Sequence, residues 1–128
     1  MDAPAFENLA LACAKTGQAI AEKPSKELEK LVTSALAVLE EQGVYALFLF
    51  LKTRGGKAAL TIEQKVREFL KTTPQRAPLL SGDGDVFALL QSMSKDLDKL
   101  LLARDLLRQA LVYARYHARV PQKSESRT

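Results

Sequence analysis

Residues 36–55 read LAVLEEQGVYALFLFLKTRG, and the way their second half is buried decides the fold. Val44 to Leu51 holds no charged or strongly polar side chain, in a chain otherwise dense with Lys and Glu. A bilayer-spanning helix needs roughly 20 apolar residues, so this run is far too short to cross a membrane. The rest of the chain must therefore cover it. Gly43 interrupts the pattern just before the run, and Gly55-Gly56 ends it. We expect an amphipathic helix that hands over to a short, fully buried one spanning Val44–Thr53, with Lys52, Arg54 and Lys57 at its exit.

Upstream, Leu28, Leu31, Val32, Ala35, Leu36 and Leu39 recur at helical spacing. Ser25 is a good N-cap for this helix, with Glu27 and Glu29 in its favourable first turn. Residues 5–22 repeat the pattern with Phe6, Leu9, Ala10, Cys13 and Ile20, and Gly17 weakens the centre of that helix. Downstream, Thr61-Ile62-Glu63-Gln64 reads as a capping box, which puts a helix start at Ile62. Pro74 and Pro78 bracket a loop that runs into the flexible SGDGD at 81–85. Val86, Phe87, Leu89, Leu90 and Met93 form a short helix. Ser94 then caps a long one over about residues 95–119. No stretch alternates at period two for long enough to make a strand. The expected fold is all-α: a compact single-domain bundle of five to six helices over 1–120, with a long C-terminal helix and a disordered polar tail at 121–128.

The composition fits this architecture. Apolar residues make up 47% of the 128 and charged ones 27%, a balance that excludes wholesale disorder. Ala and Leu dominate the apolar set and Trp is absent, which favours helix over sheet. The single Cys13 precludes an intrachain disulfide, and the N-terminus has no basic region before an apolar run. We expect a cytoplasmic protein with no membrane attachment.

The net charge is +4, unevenly spread: residues 1–22 and 81–103 are each −2, while 104–128 carry +4. Clustered Lys and Arg gain affinity for a polyanion by releasing its counterions. At 100° per residue, Arg104, Arg108, Arg115 and Arg119 fall within roughly 60° of one another on the last helix. Such a row can follow successive phosphates with charge-assisted hydrogen bonds. Alternatively, it is a snorkelling rim whose stems cover apolar surface beside Leu107, Leu111 and Ala114. The second cluster, Lys52, Arg54 and Lys57 around Gly55-Gly56, can present an anion with backbone N–H groups. Cations at a helix C-terminus are also stabilising without any ligand.

Other candidates fall away. His117 is the sole histidine and Cys13 the sole cysteine, so neither a His-rich metal site nor a Cys–His nucleophile is expected, and no cofactor. Asp83 and Asp85 lack the spaced acids of a calcium loop and read as turn and cap residues. Tyr45, Tyr113 and Tyr116 suit semi-buried packing better than base stacking. We expect a non-enzyme.

The element SALAVLEEQGVYALFLFLKTRGG at 34–56, followed by KLLLARDLLRQALVYARYHARV at 99–120, resembles the small subunit of type III CRISPR–Cas effector complexes. The likeness is to the Cmr branch in particular, or to a related Csm or III-D subunit. The shared pattern is a helix, a Gly, a short helix of the type GLxxALAFL, a basic glycine turn, and a Leu-rich, then aromatic and basic, last helix. Two details differ: Leu31-Val32 stands where the family often has Leu-Pro, and Tyr113 to Tyr116 replace a Trp or Phe with Lys. The resemblance implies a non-catalytic subunit that stacks in several copies along a guide RNA–target RNA duplex. There it would contact phosphates and other effector subunits, and the arginine row would become part of its RNA surface. Two rival classes are a helical protein–protein adaptor without nucleic acid and a DNA-binding helix-turn-helix protein. The loop at 72–85 is too long for the latter.

Overall fold

In the computed structural model, which describes residues 7–119, short polar side chains open the first two helices. The Asn8 side-chain oxygen accepts from the Leu11 N–H at 2.9 Å, starting α1 (Leu9–Ile20). The Ser25 hydroxyl accepts from the Leu28 N–H at 3.0 Å, starting α2 (Lys26–Gln42). Each satisfies a backbone donor that the first helical turn leaves open. The chain continues through α3 (Val44–Arg54), α4 (Lys57–Thr72), α5 (Val86–Met93) and α6 (Leu97–Arg119). The protein is thus all-helical and compact, with six helices and a long last one. Phe6 and the tail at 121–128 lie outside the described residues.

α6 is the spine. It packs along both α1 and α2, while α3 follows α2 and α4 returns against α3 and α1. α1 runs parallel to α6, since Cys13 Sγ donates to the Leu106 carbonyl at 3.5 Å and Gly17 faces Ala110 and Ala114 further along. α2 runs antiparallel, its start meeting Arg119 and its end Arg104. The core joins Val32 and Leu39, Leu47 and Phe48, Ile62 and Leu70, and Leu107 and Leu111 from four helices, all of them buried.

Gly17 does more than weaken α1. A Cβ there would lie 2.5 Å from Tyr113 Cβ and 2.7 Å from both the Ala110 carbonyl oxygen and the Ala114 nitrogen. The two backbones approach so closely that only glycine fits.

Four other expectations need correction. α4 starts at Lys57, not Ile62. Gly55 (φ 68°) and Gly56 (φ 94°) make the link in two residues, and the strong helix formers Lys57 to Leu60 continue from it. Asp96 rather than Ser94 opens the last helix: its carboxylate accepts from the Lys99 N–H at 3.2 Å, while the Ser94 hydroxyl donates back to the Leu90 carbonyl. α1 begins at Leu9, so residues 7 and 8 are not helical. Finally, α3 is not fully buried: Tyr45 is 38% and Leu49 46% exposed. Its neighbours α2, α4 and α5 cover only part of its circumference.

The link between α4 and α5 is mostly structure. The Leu80 N–H donates to the Leu70 carbonyl and the Leu79 N–H to that of Thr73. Both leucines are buried. The Gln75 N–H donates to the Glu7 carboxylate at 2.7 Å, tying the link to the start of α1. Residues 75–77 and 81–85 are the exposed stretches of this link.

Candidate nucleic-acid interface

Arg104, Arg108, Arg115 and Arg119 do share one edge of α6, and that edge faces α2. Arg104 donates to the carbonyl of Glu40 in the last turn of α2, where helix carbonyls lack partners of their own. Arg119 pairs with Glu29 at 2.5 Å, near the other end of α2. Arg108 pairs with Asp105 on its own helix at 2.7 Å. Arg115 is half-buried, and its Nε is buried without a hydrogen-bond partner. Arg104 and Arg119 thus hold α6 to α2 through their guanidiniums, which neither the phosphate row nor the snorkelling rim describes. The Arg108–Asp105 pair is about half exposed on both sides, so it is weak and readily exchanged for another anion.

The glycine-turn cluster is different. Lys52 and Arg54 occupy the last turn of α3 and Lys57 the first position of α4. All three are exposed, and among the described residues none has a carboxylate within ion-pair distance. The charges of Lys52 and Arg54 offset the dipole of the α3 C-terminus, whereas Lys57 stands at the positive end of α4. The α4 N-terminus beside them has no side-chain cap and no acidic residue in its first turn.

The tertiary fold connects the two clusters. Tyr45 borders one shallow groove with Leu101 and Arg104, and a second with Leu49 and Lys52. Lys52 and Phe87 in turn border both that second groove and a cleft floored by the glycine turn. Lys52 Nζ lies 5.2 Å above the Phe87 ring, and Tyr45 meets the same ring edge-on at 5.4 Å. A strip of cations and aromatic rings therefore runs from Arg104 through Tyr45 and Lys52 to Lys57, with the carboxylates of Glu41 and Asp85 bordering the same grooves. Tyr45, Leu49 and Lys52 lie at i, i+4 and i+7, one face of α3. Phe87 joins it from a helix far along the chain, a neighbour that no sequence spacing foretells.

Tyr45 and Tyr113 are semi-buried, at 38% and 39% exposure, whereas Tyr116 is open at 60%. His117 is partly buried in the last turn of α6. Burial, and secondarily the Asp105 charge, pushes the Cys13 thiol up to about 11, which marks it as a core side chain. Among the described residues, no helix is long and apolar enough to cross a membrane. No family model, characterised protein or solved structure matches this chain.

Proposed function

We propose that this protein is a non-catalytic RNA-binding structural subunit of a type III CRISPR ribonucleoprotein, one that meets the RNA backbone rather than its sequence. The observation that carries the RNA contact is the trio Lys52, Arg54 and Lys57, exposed around an open glycine turn and without carboxylate partners among the described residues. The strip leading from it to Arg104 supplies aromatic faces among the cations. Phosphate contacts fix register without reading bases, which suits a guided complex where pairing reads sequence. The assignment to that complex rests on the order of sequence elements around residues 34–56 and 99–120. Its partners there are guide and target RNA, other effector subunits and further copies of itself.

The test is fluorescence anisotropy with single-stranded RNA and an RNA duplex across a salt series. Replacing Lys52, Arg54 and Lys57 together by alanine should lower the log–log salt slope by roughly 2 and weaken binding to all sequences alike. An unchanged slope, with helicity intact, removes the glycine turn from the RNA surface.

A second reading, a helical adaptor without nucleic acid, is favoured by one observation. Leu49, Leu97 and Leu101 are 46%, 64% and 53% exposed, more apolar surface than phosphate binding uses. Absence of measurable RNA affinity at low salt decides for the adaptor.

A further inference from the structure

Phosphate binding accounts for the cations at the glycine turn but not for the walls beside them. Between the end of α3, the start of α4 and the start of α5 lies a cleft of about 500 Å³, within the range of small-molecule sites, roughly 300–1,000 Å³. Its walls are mostly apolar: Phe48, Leu51, Leu60, Val86 and Phe87. Leu60 is 55% exposed although it sits one turn into a helix whose neighbours Ala59 and Ile62 are buried. The core does not use it.

The polar rim is asymmetric. Lys52, Lys57 and the backbone of Gly55 and Gly56 line one side, and neither lysine has an ion-pair partner among the described residues. Of the two acids on the rim, Glu63 is paired with Arg67 at 3.4 Å. The other, Asp85, precedes α5 without capping it. Where α1 and α2 carry side-chain caps, α4 and α5, the two helices that begin at this cleft, carry none. The positive end of α4 adds to the two ammonium groups, while the Asp85 carboxylate offsets that of α5.

We propose that the cleft binds an amphipathic monocarboxylate, an acyl or aryl chain with an anionic head. The chain lies against Leu60, Val86 and Phe87, and the carboxylate sits at Gly56-Lys57. An apolar cavity takes an apolar body, and the unpaired lysines select the sign of the head. This site shares Lys52 and Lys57 with the proposed phosphate contacts and goes beyond them in its apolar walls, so it does not require RNA.

Decanoate, decylammonium and decanol are the probes, titrated into the full-length, ¹⁵N-labelled protein below their micelle concentrations. Decanoate should shift the amides of Gly55, Gly56, Lys57, Val86 and Phe87 saturably, with decylammonium at least about tenfold weaker. Leu60→Asp, a change at an exposed position, should abolish the shifts. Lys57→Glu should weaken decanoate by about fivefold or more. Asp at 60 sets a carboxylate one turn from Lys57, so the RNA comparison uses the charge-neutral Leu60→Gln, which should weaken decanoate yet keep the parent's RNA salt slope. The proposal is overturned by shifts that do not saturate, by equal binding of decylammonium, or by unchanged binding in Leu60→Asp. Shifts at Val86 and Phe87 with an RNA oligonucleotide but not with decanoate also overturn it, assigning the cleft to a base instead.

Discussion

A hydrogen atom in place of a methyl group sets the distance between two helices. At Gly17, alanine would gain about 1 kcal/mol of helix propensity in an isolated helix. Here its Cβ would press on the Tyr113 side chain and the α6 backbone at 2.5–2.7 Å, and overpacking of that kind costs roughly 1–3 kcal/mol. Gly17→Ala should therefore destabilise, and urea denaturation followed by circular dichroism gives the sign directly. Beside it, the Cys13 thiol is held up at about 11, chiefly by burial, against an ordinary value of 9.0. Because the folded state holds that proton longer than the unfolded chain, the contribution is intact below pH 9 and is lost as pH rises towards 11. Stability of the parent should fall across that window more steeply than that of Cys13→Ala. Native Cys13 should also resist thiol reagents at neutral pH until the chain unfolds.

At the scale of elements, the link after α4 behaves as a packed segment. Leu80 is 1% exposed and its N–H is held by Leu70, so Leu80→Ala should cost roughly 2–5 kcal/mol, as a core truncation does. Hydrogen exchange should show the Leu80 amide protected and the amides of 81–85 open. Prolines and a glycine-rich end are the local signature of a loop, and they hid two leucines that plug the core. The helix start at Lys57 was hidden for a similar reason. Thr61 to Gln64 satisfies a capping pattern, but the paired glycines had already turned the chain, and a continuous helix buries Ala59 along with Ile62.

Across the whole molecule, the two basic clusters divide their work. The α6 edge is engaged with α2 through Arg104 and Arg119, whereas the glycine turn is open. Arg119→Ala should cost only about 0.5 kcal/mol, because its ion pair is partly exposed and screened by solvent. It should change the RNA salt slope less than the triple variant at the turn does. The reverse ranking, measured in the same anisotropy series, would return the RNA surface to the arginine edge.

The apolar run at 44–51, the spacing in α2 and the breaks at Gly43 and Gly55 were enough to specify helices, their order and a single core. That is so because local propensity and periodicity act within a few residues. The wheel likewise placed four arginines on one edge, since helix geometry is local. Which way Arg104 and Arg119 turn was decided by Glu40 and Glu29, carried in on another helix. The same holds for the Gly17 contact, the exposed face of α3 and the meeting of Lys52 with Phe87. Each is a contact between segments distant in sequence, fixed by how whole helices pack and beyond the reach of any spacing along the chain.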